Sequence, residues 1–283
     1  RKPVAVFIAP EAPEAHALLL KAGVASFRTP ETCADAIRAM SQWRAPAEQP
    51  TPDAAGVARA RALLASHSGS QLDERASCAV FDALGVPCVR SVLMRSPEDR
   101  VDLPFPVAAK ILSPDVPHKT DAGGVALGVE DAAALRQRAG EILQRVRAAV
   151  PGARIEGVLV QAMERGLAEA IVGFRRDPVV GPVVVLGIGG TLAEIYRDFC
   201  IRVAPVSVEQ AREMVERVKG LAVIRGYRGM PRGDCEALAR AVQAFSAIAA
   251  IDEVAEAEIN PMIVRREGEG VVAVDGLVVL RKA

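Results

Sequence analysis

The chain has 283 residues, 51% of them hydrophobic, and Lys+Arg and Asp+Glu both stand at 35, so the formal net charge is zero. Balanced charge gives no electrostatic reason to expect nucleic acid or an anionic membrane as partner, and no apolar run approaches the ~18–20 residues of a membrane span. The five cysteines are widely spaced with no C-x-x-C, which reads as reduced thiols in a cytoplasmic protein. Arg1 stands where an initiator Met is usual, so the sequence is expected to be a fragment or a processed piece. The apolar run at 4–8 is too short for a signal peptide.

In chain order, 4–8 is of strand type, 14–22 has a helical pattern that stops at Gly23, and 24–27 reads as a second strand. Thr29 as N-cap and Pro30 at the first helical position then start a helix that runs to about Trp43. Strand–helix–strand–helix implies parallel pairing in an α/β sheet, but two short strands cannot bury both faces of one. Residues 1–45 are therefore expected to be the tail of a larger α/β domain. Residues 46–70, rich in Ala, Pro, Ser and Gly, read as a linker with a helix at 54–65.

A helix is expected over 71–84, stopped by Gly85 with Pro87 beyond. Strands are expected at 86–93, 106–112, 124–129, 156–163, 168–174, 182–188, 201–204, 256–264 and 271–280. Helices are expected at 131–149, 191–196, 207–219 and 233–251. Antiparallel-looking strands mixed with helices give 71–283 an α+β core of two lobes.

Four stretches carry chemistry. Lys110 lies inside the apolar run Val107 to Leu112; either it snorkels to water at a strand edge or it meets an anion. His118-Lys119-Thr120-Asp121 follows as a polar turn, and Gly123-Gly124 lets backbone approach phosphate closely. On its own Gly-Gly before a strand is more often a turn, and His118 reads either as a turn residue or as a phosphate contact or nucleophile. Gly187-Ile188-Gly189-Gly190 is a strand-to-helix turn of phosphate-binding type, without G-x-G-x-x-G spacing.

Gln161-Ala162-Met163 and Glu169 read as a strand–hinge–strand pair that can offer backbone groups to adenine and a carboxylate to ribose, or Glu169 is an ordinary surface glutamate. Asp177 beside Arg175-Arg176 reads equally as a local ion pair. Glu258 and Asn260 are two apart, hence on one face of a strand, and Asp275 interrupts an apolar run. An acid in such a run needs a partner, and Mg²⁺ held by carboxylates and phosphates is one; polar residues on the wet face of a hairpin are the other reading.

Taken in order, these stretches, with Arg202 to Pro205 and Gly226-Tyr227-Arg228-Gly229, resemble the ATP-grasp domain of the NDP-forming acyl-CoA synthetases (ADP-forming acetate–CoA ligases) from residue 71 to 283. Residues 1–45, through the stretch 23–40, resemble the end of the flavodoxin-like, succinyl-CoA-ligase-like domain that precedes it in that family. The resemblance implies a two-lobed α+β fold that binds ATP and Mg²⁺. Lys110 is implied to bind phosphate, under a loop at Gly123 and Gly124. The resemblance also implies Gln161 to Met163 as the adenine hinge with Glu169 near ribose, Asn260 and Asp275 as Mg²⁺ ligands with Glu258 in support, and Arg228 near the transferring phosphate.

The reaction implied is acid + ATP + CoA to acyl-CoA + ADP + phosphate, through a phosphohistidine and an acyl phosphate. The CoA-binding domain and its histidine are expected outside these residues, so the carboxylic acid and CoA would be met through other domains, in a homo- or hetero-oligomer. The 94–104 segment is shorter than the helix the family places there. The alternative is the interaction or nucleotide-sensing module of a synthetase-like protein acetyltransferase. An ATP-grasp carboxylate–amine ligase fits the ATP site but not residues 1–45.

Overall fold

The computed structural model describes residues 2–43, 45, 48–116, 119–190 and 198–281. The chain divides into two compact units, Arg1–Glu48 and Gln49–Ala283. The helix expected over 191–196 lies outside the described residues, as does His118.

The first unit is β1 (Ala5–Phe7), α1 (Pro13–Lys21), β2 (Ala25–Phe27) and α2 (Pro30–Gln42). The two strands pair in parallel, Ala5 opposite Ala25 and Phe7 opposite Phe27. Thr29 caps α2 by accepting from the Thr32 N–H, with Pro30 just inside the helix, as its sequence position predicts. Val4, Phe7, Leu18, Leu20 and Trp43 are exposed.

In the second unit, α3 (Ala54–Ala65) starts at Asp53, whose carboxylate accepts from the N–H groups of Ala55 and Gly56. Its Val57, Ala60 and Leu64 pack into the unit's main core. The segment that reads as a linker therefore contributes a core helix: its Ala-rich composition is helix-forming as much as flexible. Helix α4 (Glu74–Ala83) follows, capped by Asp73.

A four-stranded antiparallel sheet comes next, in order β3 (Ser91–Met94), β6 (Gly157–Ala162), β4 (Val107–Leu112), β5 (Val125–Val129). Helix α5 (Ala132–Ala149) lays Leu135, Ala139, Ile142 and Val146 on Val107, Ala109 and Ile111 of β4 and Val158 and Val160 of β6. Strand alternation then sends Ala108 and Lys110, with their ladder partners Gln161 and Leu159, to the opposite face. The 94–104 segment forms no helix, yet it buries Leu103 in the same core beside Val101 and Phe105.

The larger sheet runs β11 (Val271–Ala273), β10 (Val254–Val264), β7 (Ala168–Asp177), β8 (Gly181–Ile188), β9 (Phe199–Val203), with β12 (Gly276–Leu280) also on β10. One face carries Ala170, Val172, Phe174, Leu186, Ala257 and Ile259 into a core shared with α3, α4, α6 (Val208–Arg217) and α7 (Cys235–Ser246). There the Phe81 and Phe245 rings meet at 5.3 Å. The other face presents Glu169, Glu258 and Asn260.

Three boundaries differ most from expectation. The strand expected at 86–93 begins only at Ser91, because Val86 and Val89 spend their N–H groups on Phe81 O and Ala273 O. The helix expected over 233–251 ends at Ser246 and tightens into a 3₁₀ turn, Ala247–Ala250. The strand expected over 271–280 splits in two. Pro261 has no N–H to donate, the β10 register shifts between Ile259 and Met262, and Asp275 falls in the gap between β11 and β12.

Candidate active site

Two cavities adjoin between the sheets. One, of about 540 Å³, is lined by Lys110, Gln161, Met163, Glu164, Glu169 and Asp275, among others. The other, of about 430 Å³, includes Glu74, Ser113, Glu258, Asn260 and again Asp275. Lys119 and Asp275 belong to both walls, so the hinge and the candidate metal ligands flank one charged centre.

That centre is built on Glu74, whose side chain is 1% exposed. Lys110 Nζ donates to Glu74 Oε1 at 2.8 Å and reaches Asp275 Oδ2 at 3.4 Å. Lys119 Nζ donates to Glu74 Oε2 and lies 3.9 Å from Asp275 Oδ2. Gln161 Nε2 donates to Glu74 Oε1 at 2.8 Å and to the Val274 carbonyl at 3.2 Å. Two cations and two carboxylates make the cluster neutral, which is what burial requires.

Burial opposes ionisation of Glu74, but Lys110 and Lys119 outweigh it and hold the carboxyl below its usual range. Burial likewise opposes the Lys110 charge, and Glu74 and Asp275 reverse this, so its pKa is raised. For Asp275 burial dominates: its carboxyl is pushed up, with Glu74 adding to the rise against the pull of Lys110 and Lys119.

The residues singled out by sequence fall into place unequally. Lys110, Gln161, Met163 and Glu169 line one cavity, Glu258 and Asn260 the other, and Asp275 both. Asn260 Nδ2 donates to Glu258 Oε1 at 3.2 Å, so the two do share a face. Among the described residues no three His, Cys, Asp or Glu side chains form a metal cluster; the candidate set is two carboxylates and an amide.

The glycine pair acts differently from its sequence reading. Gly123 N–H donates to Thr120 O and Gly124 N–H to Lys119 O, both inside the turn, so neither faces the cavity. A Cβ on Gly124 would lie 2.6 Å from Ile111 Cγ2. The pair thus shapes the loop that delivers Lys119. At the hinge, the N–H groups of Ala162 and Met163 are already taken by Arg90 O and Pro106 O. Gly189 must be small because a Cβ there would meet the Glu169 backbone at 2.9 Å. Asp177 accepts from the N–H groups of Val179 and Val180, a turn role.

Arg228 is not among the residues lining either cavity. It sits on an exposed 3₁₀ turn at φ 51°, its guanidinium 5.2 Å from the Tyr227 ring centroid. Sequence reasoning missed Glu74, which it did not single out within the helix expected over 71–84, and Lys119, passed over beside His118. It also missed Glu164, which lines the hinge cavity and pairs with Arg265 at 2.5 Å. The Lys119 signal was present, since a lysine nine residues after Lys110 on a Gly-bounded turn can return to the same strand.

Residues 63–280 match the family model of the ATP-grasp domain. The chain is 38% identical over 211 residues to the ADP-forming acetate–CoA ligase I of Archaeoglobus fulgidus, covering 72% of this chain but 30% of that protein. It is 33% identical over 231 residues to the beta subunit of the ADP-forming acetate–CoA ligase I of Pyrococcus furiosus, covering 79% of this chain and 99% of that subunit. Among solved structures, the dinucleotide-forming acetyl-coenzyme A synthetase 1 of Ca. Korarchaeum cryptofilum, in complex with coenzyme A, Ca-AMPCP and HgCl+, superposes with a TM-score of 0.73. That match has 36% identity and covers 78% of this chain and 100% of that one. The relatives are ligases, which favours a ligase portion over an acetyltransferase module. Lysines and carboxylates gathered between two antiparallel sheets, and a domain match over most of the length, agree: this chain belongs to the ATP-grasp family, among the ADP-forming acetate–CoA ligases and their beta subunits.

Proposed function

We propose that the chain binds Mg²⁺-ATP in the paired cavities and forms the phosphoryl-loading part of an ADP-forming acid–CoA ligase. The observation that carries this reading is the meeting of Lys110, Lys119 and Asp275 at the junction of the two cavities. Two ammonium groups there suit a polyphosphate, and positioning with charge neutralisation is most of what phosphoryl transfer asks of a protein.

The residues present fit both groups. Among the described residues Gln161 Oε1 has no hydrogen-bond partner, and its Nε2 is fixed by two acceptors, so the amide oxygen is left to accept from a ligand. Asn260, Asp275 and Glu258 offer hard oxygen donors of the kind Mg²⁺ takes. Bound there, the ion would neutralise phosphate charge. A related acetyl-coenzyme A synthetase structure of Ca. Korarchaeum cryptofilum, 32% identical with a TM-score of 0.68, holds Mg-AMPPCP. Ala162 to Glu164 and Glu169 would border the adenosine, Lys110 and Lys119 the phosphates.

His118 and the Gly187–Gly190 turn belong to the same proposal as groups met by the transferring phosphate; Arg228, which lines neither cavity, would have to approach it from its exposed turn. The carboxylic acid and CoA would be handled by other domains or subunits, in a homo- or hetero-oligomer. Residues 1–45, whose parallel strands leave large apolar side chains exposed, would be part of a larger flavodoxin-like domain. The setting proposed is the cytoplasm, in keeping with five free cysteines; no described helix is long and apolar enough to cross a membrane.

Isothermal titration with Mg²⁺-ATP tests the reading. Binding is expected for the chain as it stands, and loss of it for Lys110→Ala and Asp275→Ala. Absence of Mg²⁺-dependent binding, or binding untouched by either substitution, would sink it.

A further inference from the structure

Glu74 is the most enclosed charged group of the cleft, and the nucleotide reading assigns it no task. It opens helix α4, where Asp73 accepts from the Ala76 N–H at 2.8 Å and so fixes where the helix starts. Val80 and Phe81 anchor that helix in the core of the larger sheet, whereas Lys110 and Gln161 stand on the smaller one. A single carboxylate therefore reaches from one sheet's core to the other sheet. Lys110 and Gln161 both donate to its Oε1 at 2.8 Å, and Lys119 donates to its Oε2.

Two ammonium groups on the two oxygens of one carboxylate are forced close together. Without the intervening charge they repel, and more strongly out of water than in it. Asp275 helps from the open side, at 3.4 Å and 3.9 Å. A buried carboxylate is a poor stabiliser compared with an apolar side chain of similar size, so stability alone does not call for one at this place. A rigid mount for two cations does.

We infer that Glu74 is a positioning residue for phosphate binding: it holds the Lys110 and Lys119 ammonium groups side by side toward the nucleotide's polyphosphate without touching the nucleotide itself. This rests on the nucleotide reading above.

Titrations of the full chain with Mg²⁺-ATP and, separately, with AMP decide it. AMP keeps the adenosine and one phosphate, so it depends least on the lysine pair. Glu74→Gln keeps the shape and removes the charge. It is expected to weaken Mg²⁺-ATP about tenfold or more and to leave AMP within about twofold of the wild type. Equal weakening of both ligands, as a general loosening of the fold would give, overturns the inference, and so does unchanged Mg²⁺-ATP affinity. A wild-type chain that binds neither ligand overturns the nucleotide reading itself, and this inference with it. Should Glu74→Gln fail to fold, Glu74→Asp keeps the charge but draws it back by one methylene, and is judged by the same comparison.

Discussion

The backbone N–H of Asn260 donates to the carbonyl oxygen of Asp275 at 3.2 Å, where strand β10 changes its partner from β12 to β11. Val274 N–H returns a bond to Pro261 O at 3.0 Å. Residues far apart in the chain are thereby fixed side by side, and their side chains line one cavity together with Glu258.

A magnesium response should depend on that pair. In the wild type, chelation of Mg²⁺ is expected to weaken ATP binding about tenfold or more. Asp275→Asn and Asn260→Ala should bring the affinity with magnesium down to the chelated level. A full magnesium response in both variants, measured by titration with and without chelator, would place the ion elsewhere.

Lys110→Met should cost stability as well as affinity. Removing one member of a buried pair leaves the other uncompensated, at about 3–5 kcal/mol. Lys119 and Gln161 stay on Glu74, so the low end of that range is expected from urea unfolding. Combined with Glu74→Gln, the loss should be clearly less than the sum of the two single losses. Additive losses would mean that the two residues act independently.

Gly124→Ala tests the loop that carries Lys119. The added methyl meets Ile111 Cγ2 at 2.6 Å and Lys119 O at 2.9 Å, so β4 or the loop must shift. Overpacking of this kind costs about 1–3 kcal/mol. Melting temperature and Mg²⁺-ATP affinity should both fall. An unchanged affinity in a destabilised variant would separate the loop from phosphate binding.

Asp115 gives a pH signature. Arg154 donates to it from Nε at 2.9 Å, from Nη2 at 2.8 Å and from its backbone N at 2.8 Å. The Arg154 side-chain bonds, then the backbone bond, hold the carboxyl down at about 2. A depressed pKa gives stability that is present above the unfolded-state value of about 3.9 and fades as pH falls toward the folded one. The melting-temperature gap between wild type and Asp115→Asn should therefore be full at pH 6 and close steadily from about pH 4 to about pH 2. A gap independent of pH would show that the pair contributes nothing through ionisation. Because Asp115 lies in the β4–β5 connection with Lys119, the same variant should loosen the loop at its base.

Most elements were legible because their signals are local. Thr29-Pro30, Asp131 and Ser207 sit where caps belong, and each does cap a helix. Lys110 in Val107 to Leu112 meets the carboxylates of Glu74 and Asp275, the second of the two readings its sequence position offers. The candidate site was legible where polar residues interrupt apolar runs, as at Lys110, Gln161 and Asp275. It was illegible at Glu74, since an acid in the first turn of a helix is favourable for ordinary reasons. It misled at Gly123-Gly124, where composition cannot say whether an N–H points at a ligand or back into its own turn.

The sequence by itself determined the strands and helices, the alternation that selects which side chains leave the core, and the family to which this order of motifs belongs. The first two follow from periodicity, capping and spacing, all properties of neighbouring residues; the family follows from the resemblance of these motifs, in this order, to those of known members. Only the tertiary structure decided that Glu74, Lys110, Lys119 and Asp275 form one neutral cluster, that the last strand breaks at Asp275, and that Arg228 stands apart from the cavities. Buried charge must be balanced by whichever opposite charge the packing brings within reach. That partner is chosen by how two sheets and a helix meet, and no local pattern records it.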